Sequence, residues 1–128
     1  MKKLVFLLLA VMLLTACGQN KEKEQGAVYV NITAEEAKRI MDSEEGYIIL
    51  DVRTQEEYDQ GHIPGATQLS HEEIKEKAEK VLTDKEQLIL VYCRSGRRSK
   101  IAAEALVEMG YTNIKEFGGI LDWPYEVE

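Results

Sequence analysis

Gln87-Leu88-Ile89-Leu90-Val91-Tyr92-Cys93-Arg94-Ser95-Gly96-Arg97-Arg98-Ser99-Lys100 places a lone cysteine between a strand and a helix. Gln87 to Tyr92 is an almost continuous apolar run, the pattern of a strand covered on both faces. From Arg98 to Met109 the apolar period becomes helical, with Ile101, Ala102, Ala105, Leu106 and Met109 as the inward stripe and Gly110 as the stop. A thiol is nucleophilic as thiolate, which is favoured where helix N-terminal amides and cations converge on the sulfur. Arg94, Arg97, Arg98 and Lys100 bring four cations to this point. Gly96 allows close backbone approach, so the loop amides can gather into an anion nest. Cations at a helix N-terminus oppose its dipole, and a bound anion or thiolate would offset that cost.

The rest of the chain alternates strands with helices. Val28 to Ile32 reads as a strand, and Thr33-Ala34-Glu35-Glu36 as a capping box opening a helix to about Met41, with Ala37, Ile40 and Met41 inward. Tyr47 to Arg53 is a second apolar strand that ends on charge, followed by the capping box Thr54-Gln55-Glu56-Glu57 and a short helix through Tyr58. Gly61-His62-Ile63-Pro64-Gly65 breaks that helix. Ala66 to Leu69 forms a short strand. Ser70-His71-Glu72-Glu73 repeats the capping-box spacing and starts a helix to Leu82, with Ile74, Ala78, Val81 and Leu82 inward. A last strand covers Tyr111 to Phe117, and Gly118 to Trp123 closes the domain. This alternation predicts an α/β fold with a mostly parallel central sheet and helices on both faces. Ligands of such sheets sit beyond the carboxyl ends of the strands, where Cys93 and the segment Asp51 to Arg53 both fall.

The 128 residues allow one domain once the N-terminus is set aside. Met1-Lys2-Lys3 is a basic start, Leu4 to Leu14 is an apolar run too short to span a membrane, and Leu14-Thr15-Ala16-Cys17 follows. That arrangement resembles the lipobox of bacterial lipoprotein signal peptides. The resemblance implies a signal peptide over residues 1–16, a lipidated Cys17 leading a flexible tether over residues 17–26, and a folded domain over 27–128. Losing Lys2 and Lys3 takes the formal charge from −7 to −9, two lysines fewer. So acidic a body excludes nucleic acid as a partner, and membrane attachment would come from the lipid anchor alone. The expected location is extracytoplasmic, with Gly18 leaving open which membrane carries the anchor. With Cys17 acylated, Cys93 has no partner for a disulfide. One cysteine with His62 and His71 at unrelated spacings makes no metal site.

Asp51-Val52-Arg53, Glu57-Tyr58, Gly61 to Ala66, Cys93 to Ser99 and Gly118-Gly119 with Trp123 together resemble a single-domain rhodanese. The resemblance implies a rhodanese-like α/β fold and a thiosulfate sulfurtransferase activity in which Cys93 becomes a persulfide. It implies a sulfur and anion cradle in Arg94, Ser95, Gly96, Arg97 and Arg98, with Asp51, Arg53 and the turn from Gly61 to Ala66 supporting the site. It implies no cofactor beyond the transferred sulfur, which passes from a small donor to a thiol or cyanide, an acceptor protein being left open. No histidine base is needed, and His62 is read as a structural member of its turn. Two alternatives stay open: a non-catalytic sensor or partner-binding module, and a cysteine-dependent phosphatase. The phosphatase signature has the cysteine and arginine one residue further apart, and a histidine where Tyr92 stands.

Overall fold

The computed structural model describes residues 28–128; the expected signal peptide, Cys17 and tether lie outside the described residues. Five strands form one sheet in the order β1-β5-β4-β2-β3, and every neighbouring pair is parallel. They are β1 (Val30–Asn31), β2 (Ile48–Asp51), β3 (Thr67–Gln68), β4 (Ile89–Cys93) and β5 (Ile114–Gly119). Between them run helices α1 (Ala34–Ser43), α2 (Gln55–Asp59), α3 (Ile74–Val81) and α4 (Arg97–Glu108).

β4 is central and buried at all five positions, which its unbroken apolar sequence requires. Its side chains alternate between two cores. Ile89, Val91 and Cys93 face Ala78 of α3 and Ala102, Ala103 and Leu106 of α4. Leu90 and Tyr92 face the layer of Ala37, Ile63, Phe117 and Trp123. A register shift between Val91 and Cys93 brings Gly119 of β5 opposite Cys93, the local displacement a β-bulge produces.

Thr33 and Thr54 both form complete capping boxes, with Glu36 and Glu57 respectively. Three expectations are corrected. Ser70 makes no capping box: it accepts from Glu72 N and heads a single 3₁₀ turn over His71–Glu73, after which α3 begins at Ile74. Ile74, Ala78 and Leu82 point inward at fourfold spacing as expected, while Val81 is 41% exposed. Ile101 is 42% exposed, because α4 presents its small residues Ser99, Ala102 and Ala103, with Leu106, to the sheet. Ala103 takes the inward place given to Ile101 by periodicity alone.

Candidate active site

Cys93 sits at the carboxyl end of the central strand with 1% of its surface exposed. Gly96, at φ 111°, turns the chain into α4 and lends its amide to the sulfur: Gly96 N donates to Cys93 Sγ at 3.0 Å. Positive φ at this N-cap is a conformation that favours glycine. On the other side of the sulfur, Cys93 Sγ–H donates to Ser99 Oγ at 3.4 Å. Ser99 in turn donates its hydrogen to Glu116 Oε2. Glu116 is a fully buried carboxylate held also by Asn31 Nδ2 at 2.6 Å and Gly118 N at 3.0 Å. A carboxylate so deeply placed has to be satisfied by donors, and these three supply them. Neither Ser99 nor Glu116 was assigned a site role from sequence. The available signal was the phase of β5, in which Glu116 shares the inward face with Ile114.

Arg94, Ser95, Arg97 and Lys100 are exposed around the sulfur, whereas Arg98 is half-buried. The four cations are not equivalent: Arg98 pairs in bidentate fashion with Glu57 at 2.8 and 3.0 Å, whereas Arg94, Arg97 and Lys100 make no salt bridge among the described residues. Glu57 also completes the cap of α2, accepting from Thr54 N. The bonds from Arg98, then those from Thr54, outweigh burial and draw the Glu57 carboxyl down to about 2. A depressed carboxyl contributes stability that is present above its unfolded value near 4.5 and is lost as pH falls towards 2. Glu57→Gln should therefore destabilise by about 1 kcal/mol at pH 6, the scale of a partly exposed ion pair. The gap between variant and wild type should narrow between pH 4.5 and 2 in urea melts at stepped pH. A gap independent of pH would assign the effect to packing.

Asp51, opposite Tyr92 in the sheet, forms a buried ion pair with Arg53. Arg53 Nη2 donates to Asp51 Oδ2 at 2.7 Å and to Gly61 O at 2.7 Å, so the buried ion pair fixes the turn that starts at Gly61. Burial alone would lower the proton affinity of the guanidinium, and the bonds to Asp51 more than reverse this. Tyr92 completes the network, donating to Asp51 Oδ2 at 2.6 Å and accepting from Ile63 N at 3.1 Å. Burial, reinforced by Asp51, pushes its phenol up, so it stays a donor. His62 stacks on Tyr58 with ring centroids 3.8 Å apart, and its backbone exchanges two hydrogen bonds with Glu128. It is a structural member of the turn.

The arrangement offers a buried thiol, an amide donor on its sulfur, and a cationic entrance. Among the described residues no cluster of His, Cys, Asp and Glu is able to hold a metal ion.

The family model for the rhodanese-like domain matches residues 33–125. The chain is 42% identical over 73 residues to thiosulfate sulfurtransferase PspE of Escherichia coli (strain K12), covering 57% of this chain and 70% of that protein. It is 40% identical over 77 residues to thiosulfate sulfurtransferase GlpE of Coxiella burnetii (strain RSA 331), covering 59% and 70%. Among solved structures, a rhodanese with anions from E. coli superposes with a TM-score of 0.60 at 38% identity, covering 64% of this chain and 96% of that one.

Proposed function

Because this chain belongs to the rhodanese-like domain family and is an enzyme of the thiosulfate sulfurtransferase type, we propose that Cys93 carries sulfane sulfur as a persulfide between a donor and a thiophilic acceptor. The observation that carries this reading is the Gly96 amide on the Cys93 sulfur within a loop edged by Arg94, Arg97 and Lys100. The thiolate attacks the outer sulfur of the donor. The donor's S–S bond breaks, and the leaving group, sulfite when thiosulfate is the donor, departs with the electron pair. The acceptor, a thiolate or cyanide, then attacks the outer sulfur of the persulfide, and the Cys93 thiolate is restored. Arg94, Ser95, Gly96, Arg97 and Arg98 form the cradle for the anionic donor, with Arg98 oriented by Glu57. Asp51 and Arg53 hold the neighbouring turn.

The test is mass spectrometry of the protein after thiosulfate, followed by cyanide. A gain of about 32 Da on Cys93, one sulfur atom, reversed by cyanide with release of thiocyanate, is the expected result. No gain, or turnover of p-nitrophenyl phosphate in its place, overturns the reading. The proposal extends to the cell envelope: residues 1–16 are removed as a signal peptide, Cys17 is lipidated, and residues 17–26 tether the domain outside the membrane. Cys17→Ser should then release the protein from the membrane fraction; unchanged sedimentation with membranes would contradict this.

A further inference from the structure

A groove of about 440 Å³ opens beside the loop, lined by Arg53, Arg94, Ile120, Trp123, Tyr125 and Val127, with Glu57 of α2 on its rim. Arg94 joins it to the loop that carries Cys93. Arg94 directly follows Cys93, and Leu121, next to Ile120, donates its amide to Arg94 O at 3.1 Å. Its outer wall is the segment after Trp123, which is stitched to the Gly61 turn by two backbone bonds between His62 and Glu128, at 3.0 and 2.8 Å. This volume falls in the range of pockets for organic ligands and far exceeds what thiosulfate or cyanide fills.

The charges in the groove are nearly all matched. Arg53 is paired with Asp51, and Glu57 with Arg98. Arg94 has no carboxylate partner among the described residues and is exposed. The groove therefore presents one cation next to the loop and an apolar, aromatic wall further out. With Cys93 1% exposed, an acceptor meets the outer sulfur of the persulfide, one S–S bond of about 2 Å nearer the entrance.

Resting on the reading of Cys93 as sulfur carrier, we propose that this groove binds the sulfur acceptor, and that the acceptor is a low-mass organic thiol with one anionic group and an apolar stem. The anion pairs with Arg94 and the stem lies along Ile120, Tyr125 and Val127, so that its thiolate is aimed at the loaded sulfur.

The experiment compares kcat/KM of the wild-type protein, with thiosulfate as donor, for 4-mercaptophenylacetate, its neutral amide, and cyanide. The acid should exceed the amide about tenfold, the scale of one charge-assisted contact of about 1.4 kcal/mol. Arg94→Gln should bring the acid-to-amide ratio towards one. Val127→Glu, at an exposed position, should invert it by placing an anion in the groove. Tyr125→Ala should lower the ratio of aryl-thiol to cyanide turnover about tenfold. Cyanide turnover with equal acid and amide rates, or ratios that no variant moves, overturns the groove assignment alone. Absence of Cys93 loading by thiosulfate overturns the sulfurtransferase reading, and this inference with it.

Discussion

Cys93→Ser is expected to reduce thiosulfate:cyanide sulfurtransfer by at least about a thousandfold, the scale of nucleophile deletions, while the protein stays folded. A serine hydroxyl does not ionise near neutral pH and holds no sulfane sulfur, so neither half of the transfer has a carrier. The fold survives because the change is nearly isosteric at a position 1% exposed, between Gly96 N and Ser99 Oγ. The new hydroxyl can donate to Ser99 Oγ in place of the thiol, which keeps the cost near 1 kcal/mol. Thiocyanate production, circular dichroism and a thermal melt on the same sample decide it. Retained turnover would mean that sulfur travels by a route without Cys93.

Gly119→Ala is expected to do comparable damage by a different route. A Cβ there would lie 2.0 Å from Arg94 O, 2.2 Å from Arg94 C and 2.5 Å from Ser95 N. All three are backbone atoms of the loop that follows Cys93, so no side-chain rotation relieves the contact and the loop itself must shift. The backbone at Gly119, φ −133°, is ordinary extended chain; space alone demands glycine. Overpacking on this scale costs about 3 kcal/mol or more, and moving Arg94 and Ser95 displaces the amides and cations around Cys93. Activity should fall at least about a hundredfold, with a lower midpoint in denaturant melts. Gly118→Ala provides the contrast: that position has φ 90° and nothing within 4 Å of the added atom, so its cost is backbone strain of about 1 to 2 kcal/mol. Equal effects at the two glycines would contradict the distinction between lack of space and lack of conformational freedom.

The Cys93 loop is legible in the sequence, and the packing of Gly119 against it is not. The cysteine loop, its strand and its helix were legible because each depends on neighbours within a few residues: the apolar run Ile89 to Tyr92, the left-handed turn at Gly96, and the helical period that follows. The capping boxes at Thr33 and Thr54 were legible for the same reason, since a cap is a bond across three residues. The box at Ser70 failed because the spacing of donor and acceptor types does not distinguish an α-helical start from a 3₁₀ turn. Ile101 failed because the buried stripe of α4 turns towards its small residues Ser99, Ala102 and Ala103, and Val81 because the inward row of α3 is the fourfold set Ile74, Ala78 and Leu82 alone.

Residue pattern specified the α/β alternation, the buried central strand and the place of Cys93 at its carboxyl end, because local hydrogen bonding and hydrophobic period set these over short spans. Tertiary structure alone decided what surrounds that thiol. Arg98 was paired with Glu57, 41 residues away. Ser99 was turned to Glu116, and Asn31 was brought to the same carboxylate across 85 residues. Gly119 was pressed against Arg94 by a bulge in the pairing of β4 with β5. Strand order and register set all of these contacts, and neither leaves a local trace in the residues it brings together.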